Sequence, residues 1–355
     1  MKYHFVYRKG WLGNPCGLVL FKNRYHLFFQ CNPESPRFGP MHWGHAVSDD
    51  LIDWEELPVA LSPETPYEDG YGCRGGSAIE ADGKLWLFYN SVSQDNTETI
   101  SAAWSEDGIN FTRCGENPIL KAPFEGSNVK FRDPFVFRYG GSYRMTVGAG
   151  SANIAKVLLY ESRDLVSWEY KNELLSDSRY GSVIESPELF EVDGRWVFMI
   201  QSEKHLPTKV LFAGGEFDGE RFIFDDEFDP FFPVETGDEF LNPITFLDKD
   251  GRRILISWLF STRMSGSAAF SAPREIFYDL SDRLVMLPFH ELRDFCVKES
   301  RFVSYEEGRL NIRFEGRTLF SKAYAQEPEM TVLEDVGMVE LFVNGGRENI
   351  SMFIC

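Results

Sequence analysis

Ser48-Asp49-Asp50-Leu51-Ile52-Asp53-Trp54 is followed by Ser105-Glu106-Asp107-Gly108-Ile109-Asn110-Phe111 and then by Ser162-Arg163-Asp164-Leu165-Val166-Ser167-Trp168, and the aspartates Asp50, Asp107 and Asp164 stand 57 residues apart. A fourth, weaker copy, Phe217-Asp218-Gly219-Glu220-Arg221-Phe222, begins with its aspartate 54 residues after the third. In each copy an aspartate can close an Asx-type turn ahead of a strand that carries an aromatic residue. Self-similarity at a fixed period of this length is the mark of an array of like units.

Outward from these turns, a second series keeps the same period. Runs rich in aromatic and β-branched residues occupy positions 25–30, 85–90, 143–148, 196–201 and 254–258, four of them introduced by Gly83, Gly141, Gly194 or Gly251. A third series precedes these runs, with a polar residue and usually a proline opening an apolar stretch: Asn14-Pro15, Ser77-Ala78, Asp133-Pro134, Ser186-Pro187 and Asn242-Pro243. Proline is tolerated at the first residue of a strand, so these five sites read as equivalent strand starts. Short strands in five units, with no stretch of helical period, predict an all-β chain with a five-bladed β-propeller over residues 1–290. A β-sandwich throughout is the alternative, but it leaves the period unexplained. In a propeller the first strand of each blade lines the central channel. The five strand starts, with Glu185 beside Ser186, therefore converge on one axial pocket.

Composition narrows the function. Of 355 residues, 43% are hydrophobic and 32 are Phe, enough for a large core. Thirty-six basic residues against 55 acidic ones give a net charge of −19, which disfavours nucleic acid and anionic membranes as partners. No apolar leader opens the chain and no run of about 18 apolar residues follows, so a cytoplasmic location is expected. The six cysteines are scattered, with no C-x-x-C pair and no histidine cluster beside them; reduced thiols, with no metal or other cofactor, are the expectation.

Among the converging sites only Asp133, in Phe131-Arg132-Asp133-Pro134, and Glu185, in Ile184-Glu185-Ser186-Pro187-Glu188, bring carboxylates. Two carboxylates facing across a pocket are the working parts of a glycoside hydrolase. A raised pKa would keep Glu185 protonated as the acid, while Asp133 stays ionised beside Arg132. The structural alternative is an Arg132–Asp133 ion pair with Glu185 on a solvated rim.

Trp11-Leu12-Gly13-Asn14-Pro15-Cys16-Gly17, residues 25–33, Trp43-Gly44-His45-Ala46, Gly76-Ser77-Ala78, Phe131-Arg132-Asp133-Pro134 and Glu185-Ser186-Pro187 resemble, in order, the motifs of glycoside hydrolase family 32, with Pro273-Arg274-Glu275 near the end of the likeness. The resemblance implies a five-bladed propeller followed by a β-sandwich, here only a short sandwich-like remnant over residues 291–355, and retaining cleavage of fructosyl bonds in sucrose, sucrose 6-phosphate or short fructans. It implies that Glu185 is the general acid/base and that Asp133 holds fructose hydroxyls and stabilises the transition state. By the same likeness Arg132 partners Asp133, and Gln30, Trp43, Arg74 and Ser77 line the substrate pocket. Trp43 reads equally as a buried aromatic, and His45 as a structural histidine.

The pattern breaks at its first motif. The family's nucleophilic aspartate is here Asn14, and an amide is a very poor nucleophile. Gly13, Cys16 and Arg74-Gly75 also depart, the last replacing a usual aromatic-Ser pair. The chain reads either as a fructosidase with a substituted nucleophile or as a fructoside-binding or regulatory propeller that has lost hydrolysis. An inverting arabinan or xylan hydrolase resembling family 43 is a third reading. The short tail, with a strand at 338–344, leaves sheet edges that a second subunit can cover, which makes a homodimer an expectation. Loops at 94–98 and 203–209 are expected to select the aglycone.

Overall fold

The Asx turns form as the repeat predicts. In the computed structural model, which describes residues 1–125, 129–204, 209–264 and 266–355, Asp50 Oδ1 accepts the N–H groups of Ile52 (2.9 Å) and Asp53 (2.8 Å). Asp107 Oδ1 accepts those of Ile109 and Asn110, both at 2.8 Å, and Asp164 Oδ1 those of Val166 (2.9 Å) and Ser167 (2.7 Å). Asp218 repeats the device with Glu220 (2.8 Å) and Arg221 (2.7 Å). Each turn leaves the third strand of a sheet and delivers the chain to the fourth.

The described residues form an all-β chain with two short 3-10 turns. Five antiparallel sheets follow one another, each with its strands paired in chain order. Their leading strands are Trp11–Phe21, Gly72–Ala81, Lys130–Tyr139, Ile184–Val192 and Phe240–Leu247. The second strands, Arg24–Asn32, Lys84–Val92, Ser142–Ser151, Arg195–Ser202 and Arg253–Ser261, are the five aromatic-rich runs. Successive leading strands touch, and the fifth touches the first, so the sheets close into a ring. Apolar side chains interlock between neighbours: Phe88 and Ala102 of the second sheet share a core with Val136, Met145 and Tyr160 of the third. The N-terminal segment clasps the closure, with Phe5 packed between Phe29 and Phe270 and its carbonyl accepting the N–H of Phe270 at 2.9 Å. His26 and His45 sit buried in the first sheet, ring nitrogens 3.0 Å apart; His45 stacks on Phe28, a structural place as its sequence context suggested.

Every leading strand loses register where the site residues stand. Pairing breaks between Leu12 and Pro15, Cys73 and Gly76, Arg132 and Phe135, Glu185 and Glu188, and Leu241 and Ile244. Such bulges re-aim side chains that a regular strand would send into the sheet packing. One equivalence needs correcting: in the second sheet the break falls at Arg74-Gly75, and Ser77 lies beyond it in regular pairing with Phe88. Ser77 Oγ accepts the N–H of Val136 at 3.0 Å, joining the second sheet to the third.

Two three-stranded sheets close the chain: Val303–Glu306, Arg309–Phe314 and Arg317–Ala323, then Met330–Asp335, Met338–Val343 and Glu348–Phe353. They share an apolar core in which Leu310 and Ile312 meet Val332, Leu341 and Ile350. The second sheet turns Leu333, Phe342, Met338 and Phe353 toward the ring, so Met338–Val343 is buried on both faces. At this joint Arg274, fully buried, donates from Nη1 to Glu235 Oε2 (2.9 Å) and from Nε and Nη2 to Glu340 Oε2 (3.0 and 2.8 Å). His4 Nε2 lies 2.9 Å from Glu340 Oε1, adding the N-terminus to the same network.

All six thiols are free, and four are buried. Among the described residues no helix is long and apolar enough to cross a membrane.

Candidate active site

Three of the five breaks place a residue with a side chain in the left-handed region: Asp133 at φ 53°, Ser186 at 45° and Asn242 at 42°. Each precedes a proline, a position that ordinarily favours extended backbone, so the three sites hold local strain of the kind that gathers at functional centres. They are tied to one another. Ser186 N–H donates to Asp133 Oδ2 (3.0 Å), and Asn242 Nδ2 donates to Ser186 Oγ (3.1 Å). The bulge residues of the third, fourth and fifth sheets thus form one chain of contacts at the ring's centre.

Arg132 occupies the middle of the acidic cluster. Its Nη1 donates to Glu185 Oε1 at 3.1 Å, while Nε donates to Glu98 Oε2 at 3.2 Å and Nη2 bonds Glu98 Oε1. Glu98 Oε2 also accepts the N–H of Phe131 (2.8 Å), and Asn90 Nδ2 holds the carbonyl of Phe131 (3.1 Å). On the far side of Glu185, Gln201 Nε2 donates to Oε2 (2.8 Å), and Gln201 Oε1 accepts the N–H of Asn242 (2.7 Å). Glu185 is therefore held from both sides.

Burial and the neighbouring charges set the two carboxyl groups apart. Burial, then the neighbouring Glu185 charge, push Asp133 up to about 6, against the pull of Arg132, the Ser186 N–H and Arg74. Burial acts on Glu185 too, but Arg132 and Arg74, with hydrogen bonds from Gln201 and Asn242, hold it below the ordinary glutamate value. The expected raised pKa of Glu185 is therefore not met, whereas Asp133, raised to about 6, is still ionised near neutral pH as expected. The guanidinium of Arg132 bonds Glu185 and Glu98, and Asp133 receives a backbone N–H instead.

A stability prediction follows. Asp133 binds its proton more tightly folded than unfolded, so stability is lost as pH rises from about 4 through about 6. Asp133→Asn is expected to stabilise the fold by about 1–3 kcal/mol near neutral pH and by nothing measurable near about pH 4. Urea titrations of both forms across that range check it; a gain that does not grow with pH contradicts it.

The other sequence candidates fall around this cluster. Gly75 lies against Asp133: a Cβ there would stand 2.2 Å from Asp133 Oδ1 and 3.7 Å from Gln30 Nε2. Gln30 is buried and pairs in register with Trp43. Trp43 is fully buried, and its Nε1 donates to the carbonyl of Arg74 at 2.7 Å, so it supports the pocket wall from behind. Asn14 shares a narrow crevice with Gly75, Asp133, Ser186 and Glu188, and its side-chain amide bonds no described residue. Ser77 is the candidate the structure separates, since its hydroxyl serves the sheet-to-sheet joint.

Glu98 and Gln201 were not foreseen as site residues. Glu98 had been assigned to an aglycone loop, yet it opens the strand Glu98–Ser105 and is buried against Arg132. Gln201 carried a usable signal: a polar residue ending an apolar second strand recurs at Gln30, Asn90 and Gln201. Of the other loop, 203–209, residues 205–208 lie outside the described residues.

Comparison with known proteins identifies the family. Residues 4–288 match the profile described as Glycosyl hydrolases family 32 N-terminal domain. The sucrose-6-phosphate hydrolase of Escherichia coli is 32% identical over 315 residues, covering 81% of this chain and 64% of the relative. The levanase of Bacillus subtilis is 31% identical over 327 residues, covering 82% of this chain and 47% of the relative. The chain thus spans less than two thirds of the length of these relatives. Among solved structures, the GH32 β-fructofuranosidase of Bombyx mori superposes with a TM-score of 0.85 at 25% identity, covering 99% of this chain and 88% of that one. A mutant of the same Bombyx mori enzyme is known in complex with sucrose. These matches set aside the family 43 reading. The chain belongs to glycosyl hydrolase family 32.

Proposed function

We propose that this chain binds the terminal β-fructosyl unit of sucrose, a phosphorylated sucrose or a short fructan, on a retaining hydrolase framework whose nucleophile position is held by Asn14. The carrying observation is the convergence of Asp133, Arg132 and Glu185, from neighbouring leading strands, on one strained and cross-linked centre. Relatives named for sucrose-6-phosphate, raffinose and levan support the substrate class. On this reading the closed ring of five sheets is a five-bladed β-propeller over residues 1–290. The two small sheets of 291–355 are a reduced sandwich.

Asp133 takes the hydroxyls of the fructosyl ring and gains charge as its proton leaves. Glu185 faces the glycosidic oxygen as acid and later as base. Gln201 and Arg132 are positioning residues that fix the Glu185 carboxyl. With an amide at position 14 no covalent fructosyl intermediate forms, so binding outlasts turnover and hydrolysis is slow. The second reading, a pure fructoside-binding propeller, is favoured by the cations that hold Glu185 ionised.

Calorimetry with sucrose and 1-kestose tests the pocket. Both are expected to bind, and Asp133→Ala is expected to weaken binding by about tenfold or more, as the loss of hydrogen bonds to a charged group does. Equal binding by the two forms defeats the assignment.

A further inference from the structure

Arg74 stands where the family pattern has an aromatic residue, on the wall of the acidic cluster. Its carbonyl is clamped by Trp43, and its backbone lies at the register break of the second sheet, so the base of the side chain is fixed. The side chain, 26% exposed, hydrogen-bonds no described residue, and its Nε is buried without an acceptor. A buried donor left unsatisfied is costly, and one at a functional centre calls for an explanation.

The nearest anion does not supply it. Glu98 Oε1 is 4.0 Å from Arg74 Nη1, and the Glu98 carboxylate is already taken by Arg132 and the Phe131 N–H, with Lys130 at 3.9 Å. Glu185 is likewise engaged by Arg132 and Gln201. Around the pocket Arg74, Arg132 and Lys130 face Glu98, Asp133 and Glu185. Arg132 is spent between two carboxylates, whereas Arg74 has only the long 4.0 Å ion pair with Glu98 and makes no hydrogen bond to a described residue. An aromatic ring would serve the apolar face of a neutral sugar; a planar fork of donors serves a phosphate or carboxylate in two-point fashion. Gly75, beside Arg74, abuts Asp133, which places the fork next to the group assigned to the fructosyl ring, within reach of a substituent on that ring.

We propose that Arg74 receives a phosphate carried by the fructosyl unit itself, making this pocket selective for a phosphorylated fructose moiety over a neutral one. The inference rests on the fructosyl reading of the pocket.

Titration calorimetry with fructose, fructose 6-phosphate, sucrose 6-phosphate (whose phosphate is on the glucosyl unit) and inorganic phosphate tests this on the unaltered chain, Arg74→Gln and Arg74→Lys. The expected result is that fructose 6-phosphate binds about ten- to a hundredfold tighter than fructose, the margin of charge-assisted hydrogen bonds. Arg74→Gln is expected to erase that margin, read as the ratio of fructose 6-phosphate to fructose binding by the same form, and Arg74→Lys to keep part of it. The proposal is overturned if the phosphate brings no gain, if the gain survives Arg74→Gln, or if sucrose 6-phosphate alone shows it. Failure of the underlying reading looks different: no fructose-containing ligand binds, and Asp133→Ala changes nothing.

Discussion

The Asn14→Asp form is expected to hydrolyse sucrose or a short fructan about 10⁴-fold or more faster than the chain with Asn14, the scale on which a catalytic group counts. The restored carboxylate attacks the anomeric carbon as Glu185 passes its proton to the departing oxygen. Water, activated by the same Glu185, then cleaves the fructosyl ester, so the released fructose keeps its anomeric configuration. The pH dependence has a definite sign. Glu185 must enter the reaction protonated, and Arg132 and Arg74 hold its pKa down, so activity falls as pH rises and its optimum lies on the acid side. Adding Arg74→Gln removes one of those cations and is expected to move the optimum upward. Initial rates on both forms, with product anomers followed by NMR, decide the matter. If Asn14→Asp stays as slow as the starting chain on every fructoside, the missing nucleophile is not what limits the site.

The second large effect is expected far from the pocket. Arg274→Met strands Glu235 and Glu340 in the interior without their cation, and breaking a buried ion pair in this way costs about 3–5 kcal/mol. Because Glu340 lies in the C-terminal sheets and Arg274 in the ring, the loss falls on the joint between them. Denaturant unfolding is expected to show the destabilisation. Replacing all three groups at once, with Glu235→Gln and Glu340→Gln added, is expected to recover much of it. A triple variant no better than Arg274→Met shows that packing of Arg274 against Phe240 and Phe342 carries the joint instead.

What could be read from the sequence was local chemistry repeated at a period. Asp50, Asp107, Asp164 and Asp218 close their turns with their own neighbours, and the aromatic runs between those turns are short, nearly continuous apolar stretches of strand length, so both signals survive without knowledge of the rest of the fold. Asp133 and Glu185 were legible because a proline marks each bulge. The second sheet carries Arg74-Gly75 with no proline, and the site was read three residues too far along, at Ser77. Choices that depend on the spacing between sheets left no local mark. Whether Arg132 reaches Asp133 or Glu185 is decided by where Glu98 sits, on another strand 34 residues away. The lowered pKa of Glu185 follows from that choice.

Gly75 has a consequence for how this lineage can change. Asp133 Oδ1 occupies the space that a side chain at position 75 would need, with only 2.2 Å left to a Cβ. Restoring a serine there by itself would displace the carboxylate that the site is built around, whereas the same serine introduced after Asp133 has been re-aimed would meet no obstacle. The two positions are therefore epistatic, and the order of substitutions matters. A serine that arrives at position 75 before Asp133 has been re-aimed passes through a poorer binder, whatever residue stands at position 14.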